Sequence, residues 1–425
     1  MSKSYETEII SVGTELLLGH VTNTDARDVS EELSKIGINV RFHTVVGDNP
    51  KRLAECIEIA KSRADIIIST GGLGPTCDDL TKQTLASAFD IPLVLNDEEY
   101  KNLYDYISPH HKYTENNTQQ AMLPQGCTVF HNSCGTAPGC AFEKEGKIVL
   151  MLPGPPKECR AMLHESAIPY LKKLTDATIV SHSVRIFGIG ESRVDDIFAE
   201  EMNSMTNPSM APYAKECDCL LQVTAKASSE EEAEKMIQPV MHHVADKLGE
   251  YVYGIDVESI EESVFKLLRE KKTTFALAES CTGGDAAKRF TDIPGASEYY
   301  KGGVVTYTNE SKEKLLGISY DLLEKESAVS YEVAKEMAER IRTIMDSDVG
   351  FGVTGLAGPD GDGIHEVGTV FVSMATHEHT YVRELHMGSN LRTRSFIRHM
   401  AGNHVYDMFR RYLTGLEIER WQLEE

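Results

Sequence analysis

Two stretches of the chain carry residue types and spacings suited to hydrolysis. In "ALAESCTGG" (276–284) an apolar run ends on Ser280 and Cys281, and Thr282, Gly283 and Gly284 follow at once. Amide hydrolysis without a metal needs a nucleophile, an acceptor for its proton and donors for the oxyanion. Ser280 at a strand end supplies the first. The unpaired N–H groups of the helix that follows are expected to supply the last, with Gly283 and Gly284 letting a substrate approach that backbone closely. "TYTNESK" (306–312) brings Tyr307 and Lys312 to another strand end and helix start. Lysine acts as a base once desolvation or nearby charge lowers its pKa, and a phenol can relay the proton or hold the amine. The plainer reading of the same residues is a helix capped by Ser280 or Thr282, a packed Tyr307 and a surface Lys312. Cys281 is a rival nucleophile, but no histidine lies close to it in sequence, and a small buried thiol suits it better.

Two further segments fit an anionic substrate. "VTGLAGPDGDG" (353–363) is a Gly-rich strand-to-loop turn in which Thr354 and the backbone from Gly355 onward suit a phosphate or a developing oxyanion. "GSNLRTRSFIR" (388–398) carries Arg392, Arg394 and Arg398; one planar fork could hold a phosphate, and a solvated basic face accounts for the other two.

The second stretch is "STGGLGPTCDDLT" (69–81). Gly71, Gly72 and Gly74 allow backbone amides to curl around a phosphate, Thr70 and Thr76 add hydroxyls, and Asp78 and Asp79 open a helix. Adjacent aspartates near bound phosphates fit a divalent cation that takes its other ligands from the substrate. Capping of the helix by one of the pair fits equally well. Glu15, Asn23, Asp25, Asp48 and Glu158 belong to polar loops expected at the same end of the sheet. Neither GxxxxGK[ST] nor a strand-borne GxGxxG is present.

Several elements must position these groups. "EIISVG" (8–13), "GINVRFHTVVGD" (37–48), "ADIIIST" (64–70) and "KIVLMLPGPPKE" (147–158) read as strands running into Gly or Pro loops, with a helix over 49–63. Alternating strands and helices predict a parallel sheet with its ligand crevice at the strand carboxyl ends. Residues 171–256 read as a small α+β module without recognisable chemistry, a spacer or dimerisation element. From 257 a second α/β unit begins, with strands at 348–355 and 367–376. Its helix over 331–345 has a core-facing stripe of Val333, Met337, Ile341 and Met345, and a basic amphipathic helix closes it.

The chain's 425 residues predict two or three domains. A net charge of −23, from 66 acidic against 43 basic residues, opposes nucleic-acid and anionic-lipid partners, so phosphate-bearing ligands are expected to be small and locally captured. Nine scattered cysteines without a CxxC pair fit reduced thiols, and no apolar leader or membrane-length run is present, so a cytoplasmic protein is expected.

"ALAESCTGG", "PGASEYYKGGVVTYTNESK", "SAVSYEVAKEMAERIR" and "TGLAGPDGDGIHEVGTV" resemble the C-terminal domain of the competence/damage-inducible CinA family. Stand-alone members of that domain family are nicotinamide mononucleotide deamidases. The resemblance implies that Ser280 is the nucleophile, that Tyr307 and Lys312 assist it, and that Thr354 and Arg394 contribute to the site, with no cofactor. Asn390 stands where the family commonly has arginine, and "IHEVGT" replaces a Lys-Pro before VGT; both departures bear on phosphate or ribose contacts. Residues 6–170 resemble the N-terminal CinA domain, related to the molybdopterin-binding MoaB and MogA proteins through the TGG-x-G-x-T-x-D-D loop. That likeness implies a three-layer α/β domain over 1–170, a linking α+β domain over 171–256 and an α/β deamidase domain over 257–425. It also implies a homodimer, and cleavage of ADP-ribose to AMP and ribose 5-phosphate with Mg, Mn or Co on Asp78 and Asp79. The alternative is a first domain that only binds a pterin or nucleotide, beside an oligomerising C-terminal domain.

Overall fold

A computed structural model describes residues 5–108, 115–174, 178–215, 217–388 and 392–419. Asn390 and Thr114, the first residue of "TENNTQQA", lie outside the described residues. The chain divides into two compact units, 1–180 with 225–235, and 181–224 with 236–425.

The first unit is built on strands β1 (Glu6–Val12), β2 (Asn39–Val46) and β3 (Ile66–Thr70), a two-stranded ribbon of β4 (Leu93–Leu95) and β5 (Met122–Pro124), and β6 (Thr128–Phe130), β7 (Gly139–Lys144) and β8 (Lys147–Leu152). The main sheet has the order β2-β1-β3-β8-β7-β6. Every residue of β3 is buried. Ile66 and Ile68 join one core and Ile67 the other, as the two-residue repeat of a strand requires. Val29 and Leu33 of helix Thr24–Lys35 and Cys159 and Met162 of helix Pro156–Met162 pack in the first core. Leu53, Ile57 and Ala60 of helix Pro50–Arg63 and Leu85 of helix Thr81–Ala88 pack in the second. The result is a three-layer α/β unit.

The sheet is only partly parallel. β1, β2, β3 and β8 pair in parallel, but β7 is antiparallel to β8 and β6 to β7. The departure comes from the Lys144↔Lys147 register, which leaves a two-residue turn of Glu145 and Gly146, both at positive φ. That geometry is a tight hairpin, and it returns the chain without a crossover helix.

The middle of the chain forms a four-stranded sheet of β9 (Thr178–Ile186), β10 (Ser209–Ala214), β11 (Cys219–Ala227) and β12 (Val252–Ile255), in the order β10-β11-β9-β12. Helices Glu191–Ser204 and Glu230–Leu248 accompany it.

The C-terminal sheet has the order β14-β13-β15-β16-β17, from β13 (Phe275–Glu279), β14 (Tyr300–Val305), β15 (Val349–Gly355), β16 (Thr369–Ala375) and β17 (Thr380–His386). β13 is parallel to both neighbours and wholly buried, whereas β15, β16 and β17 are antiparallel. Helix Tyr331–Ile344 buries Val333, Met337 and Ile341, and Ser330 caps it by accepting the Val333 N–H. On the other core, Phe275 packs edge-on against Phe290 and Phe409, with ring centroids 4.8 and 5.2 Å away.

The closing helix, Arg394–Thr414, departs from the amphipathic expectation. It buries Ile397 and Ala401 through Arg411 almost continuously, including four polar residues and two arginines. Asp407 makes this tolerable. Its Oδ2 accepts from Arg383 Nη1 at 2.8 Å and Arg411 Nε at 3.1 Å, and its Oδ1 accepts from Arg410 Nη2 at 2.7 Å. Burial pushes the Asp407 carboxyl up, but the three guanidiniums outweigh it and hold it at about 2. Removing the carboxylate strands buried cations. Asp407→Ala is therefore expected to destabilise the second unit by about 3–5 kcal/mol, read as a lower urea midpoint, and an unchanged midpoint contradicts this account.

Candidate active sites

The end of β13 delivers Ser280 to the carboxyl end of its sheet, and β14 delivers Thr306 beside it, where the Thr306 N–H donates to the Glu279 carbonyl at 2.8 Å. The Ser280 backbone is fixed by its N–H to the Val353 carbonyl at 2.8 Å. Lys312, in the first turn of helix Asn309–Leu316, is 1% exposed. Its Nζ donates to Ser280 Oγ at 3.0 Å and to the Thr306 carbonyl at 2.9 Å. Desolvation lowers its pKa from 10.5 to about 8, with Cys281 opposing weakly. Ser280 and Lys312, 32 residues apart in sequence, are thus in hydrogen-bond contact.

Tyr307 stands differently from the sequence expectation. It does not hold Lys312, because the Thr306 carbonyl does that. The Tyr307 side chain is 58% exposed, and its hydroxyl oxygen accepts from Arg394 Nη2 at 2.7 Å. Side chains of adjacent residues at a strand end diverge, so Thr306 points inward and Tyr307 outward. Arg394 also donates to the Gly358 carbonyl. Tyr307 and Arg394 therefore form a polar rim rather than a relay.

The glycines after Ser280 are also corrected. The Gly283 N–H returns to the Ser280 carbonyl at 3.0 Å. The Gly284 N–H goes to Glu279 Oε2 at 3.0 Å, and the same carboxylate accepts from Ala286 at 3.2 Å and Ala287 at 2.9 Å. Glu279, 1% exposed, thus occupies the start of helix Asp285–Thr291 where a substrate anion was expected. Gly283 and Gly284 serve the turn through φ values of 60° and 93°. Among the described residues, the amides of Cys281 and Thr282 donate to no other residue. Arg398 fixes the turn by donating from Nε and Nη2 to the Thr282 carbonyl at 3.1 and 2.6 Å. Thr354 is 1% exposed and donates to the Ala328 carbonyl at 2.7 Å, so its hydroxyl proton is committed. Gly355 allows β15 to lie close against Thr369 and Val370 of β16. Cys281 is buried and its thiol is pushed up to about 12 by burial, contrary to a nucleophile's needs.

In the first unit the ends of β1, β3 and β8 open on a cavity of ≈ 630 Å³. Glu15, Asn23, Asp48, Gly71, Gly72, Gly74, Thr76, Asp78 and Asp79 all line it, as do Asp25, Gln120 and Glu158. Gly71, at φ 92°, sits where any Cβ would overlap the Val12 carbonyl oxygen, so the loop crosses β1 only with glycine there. Its N–H is spent on the Leu152 carbonyl at 3.0 Å, a correction to its phosphate role. Among the described residues the amides of Gly72 and Gly74 donate no hydrogen bond. Asp48 Oδ2 accepts from the Thr14 N–H and hydroxyl, each at 2.8 Å, and Asn23 Oδ1 caps helix Thr24–Lys35 through the Ala26 N–H at 3.1 Å. Both side chains thereby shape the rim.

Asp78 and Asp79 converge on Thr76. The Thr76 hydroxyl contacts Asp78 Oδ1 and lies 2.6 Å from Asp79 Oδ2, which also accepts the Thr76 N–H at 2.9 Å. The Thr76 hydroxyl and its own backbone amide hold the Asp78 carboxyl below the usual range. Among the described residues no group of three or more His, Cys, Asp or Glu is arranged to hold a metal. The donor set therefore fits a hard cation that takes most ligands from phosphate and water, and does not fit an all-protein cage. Lys82 escaped the sequence reading. It is 2% exposed, donates to the Gln119 and Gln120 carbonyls at 3.1 and 2.5 Å, and is lowered to about 8 by burial. A lysine between two threonine-containing turns gave no signal of such burial.

Comparison with known proteins gives three consecutive family matches: a probable molybdopterin binding domain over 8–173, a damage-inducible protein CinA KH domain over 181–254, and the CinA C-terminal domain over 257–413. A competence-damage inducible protein of Caldanaerobacter subterraneus subsp. tengcongensis is 48% identical over 419 residues, covering 97% of this chain and 99% of that one. A CinA-like protein of Kosmotoga olearia is 43% identical over 411 residues, covering 96% and 99%. The solved structure of a CinA protein from Thermoplasma acidophilum is 31% identical over 40% of this chain and 98% of its own, with a TM-score of 0.37. Its family matches together span nearly the whole sequence, and full-length relatives share their order: the chain belongs to the CinA family.

Proposed function

We propose that the chain is a hydrolase with two active sites, of which the C-terminal one deamidates nicotinamide mononucleotide to nicotinate mononucleotide and ammonia. The observation that carries this reading is the buried Lys312 amine 3.0 Å from Ser280 Oγ. Neutral Lys312 takes the Ser280 proton as Oγ attacks the carboxamide carbon, whose cationic ring makes it electrophilic. The Cys281 and Thr282 amides hold the oxyanion. Protonated Lys312 returns its proton to the leaving ammonia, and water then releases the acyl group from Ser280. Arg394, at the rim with Tyr307, meets the phosphate, which the Glu279-occupied helix start repels.

In the first unit we propose hydrolysis of ADP-ribose to AMP and ribose 5-phosphate. A divalent cation held by Asp78 and Asp79 would neutralise charge on the pyrophosphate. The Gly72 and Gly74 amides supply donors to the phosphate oxygens. The match over 8–173 supports a second reading, in which this cavity only binds a pterin; identifying products separates the two.

Ser280→Ala is expected to abolish ammonia release with the fold intact, and retained turnover removes the serine from the mechanism. Lys312→Met is expected to cost about 10²–10⁴-fold in rate. The wild-type rate is expected to rise through pH 8, where Lys312 loses its proton. Stability rises with pH in the same direction as activity. The folded pKa of Lys312 lies below its unfolded value, so the charged lysine costs the fold about 3 kcal/mol below pH 8, and that cost fades towards the unfolded pKa of 10.5. Lys312→Met should therefore melt higher than wild type at pH 7, with the gain shrinking at alkaline pH; a lower melting temperature at pH 7 contradicts the burial argument. For the first unit, Asp78→Asn and chelation are each expected to stop ADP-ribose cleavage, and chelator-resistant cleavage excludes the metal role.

A further inference from the structure

We infer that Asp25 recognises the sugar of a nucleotide sugar in the first unit's cavity, accepting a hydrogen bond from a ribose hydroxyl. The inference rests on the ADP-ribose reading for the choice of cavity, and adds which end of the ligand lies where.

Asp25 lines the cavity, is 9% exposed, and its Oδ1 has no hydrogen-bond partner among the described residues. A cation lies nearby but is committed elsewhere: Arg160 Nε donates to Asp28 Oδ2 at 2.5 Å. Asn23, two residues before it, spends its Oδ1 on the helix cap and donates from Nδ2 to Ser11 Oγ at 3.0 Å. Burial pushes the Asp25 carboxyl up to about 6, with Asp28 adding and Arg160 opposing. An acid kept in a cavity wall without a partner weakens the fold, and such groups persist where a ligand completes them.

Gln120 also lines the cavity and is 1% exposed. Its Nε2 donates to Thr136 Oγ1 at 3.0 Å, and its Oε1 has no partner among the described residues. Whichever way that amide is turned, one polar end faces no protein group. The Asp25 carboxylate repels phosphate, so the phosphate end belongs to the Gly72 and Gly74 amides and the Asp78–Asp79 pair. The cavity is polar in two senses: donors and a cation site at the glycine loop, and an unpartnered acceptor at Asp25. A nucleotide sugar offers both complements, whereas inorganic pyrophosphate offers only the first.

The test compares full-length wild type with Asp25→Leu and Asp25→Asn, titrated calorimetrically with ADP-ribose and with pyrophosphate in magnesium, beside ligand-free melts. Asp25→Leu is expected to weaken ADP-ribose binding about tenfold, as loss of one hydrogen bond to a charged group implies, while pyrophosphate binding is unchanged. Asp25→Asn, which keeps a neutral acceptor, should recover part of the loss. Both variants should melt higher than wild type without ligand, since a buried acid is gone. Equal loss for both ligands, no loss for either, or lower melting temperatures overturn the role of Asp25 alone. Wild-type protein that binds pyrophosphate but not ADP-ribose removes the ADP-ribose reading and this inference with it.

Discussion

The exclusion of water from one lysine amine governs the C-terminal unit. Ordinary lysine is protonated at neutral pH and cannot accept a proton from serine. Lys312 is lowered to about 8 because burial desolvates its amine, which is enclosed against Ser280 Oγ and the Thr306 carbonyl. Thr308 fixes the start of helix Asn309–Leu316 by a capping box with Ser311, so the position of the lysine follows from a local hydrogen-bond pattern within the four residues before it. The serine is positioned from the opposite side, by the Val353 carbonyl and by Glu279 and Arg398, which pin the turn between β13 and its helix. Ser280 and Lys312 meet because β13 and β14 are parallel neighbours, so the segments that follow them leave the sheet side by side.

Much of this was legible in the sequence. "ALAESCTGG" is a buried strand ending on a small residue and a glycine pair, and "TYTNESK" places a lysine four residues after a capping threonine. Those patterns made the strands and the turn readable and marked Ser280 and Lys312 as candidates, beside the plainer reading of a helix cap and a surface lysine. The destinations of the partners were not legible. Tyr307 and Thr306 are neighbours, and nothing in the sequence says that the lysine donates to the Thr306 backbone carbonyl while the Tyr307 hydroxyl turns to Arg394. Glu279 precedes the serine, and nothing in "AES" says that its carboxylate turns back onto the helix start rather than out to solvent. The closing helix was misread for a related reason. A basic amphipathic helix was expected, and the burial of Arg410 and Arg411 was not legible because it depends on Asp407, which they share with Arg383 on a strand beyond the reach of any helical period.

The first unit shows the same division. The glycine loop and the aspartate pair were readable as a phosphate site, and the cavity gathers all nine residues assigned to it. Their roles are more divided than the sequence implied. Asp48 and Asn23 hold helix starts, Gly71 holds the strand crossing, and Gly72, Gly74, Asp78 and Asp79 keep groups for a ligand. The antiparallel edge was missed because its signal is two residues long. Glu145 and Gly146 make the hairpin through positive φ values, and glutamate gives no hint of that conformation.

The two units share one design. Each ends a wholly buried parallel strand on small residues, β3 on Ser69-Thr70 and β13 on the turn at Ser280, and each sets a desolvated lysine nearby. Titration of isotopically labelled lysine side chains by NMR, in wild type and in Lys312→Met, tests the central claim most directly. The account predicts a lysine signal titrating near pH 8 in wild type that disappears in Lys312→Met, with the Lys82 signal retained in both. A wild-type spectrum in which the signal lost in Lys312→Met titrates like an exposed lysine, near 10.5, would contradict it.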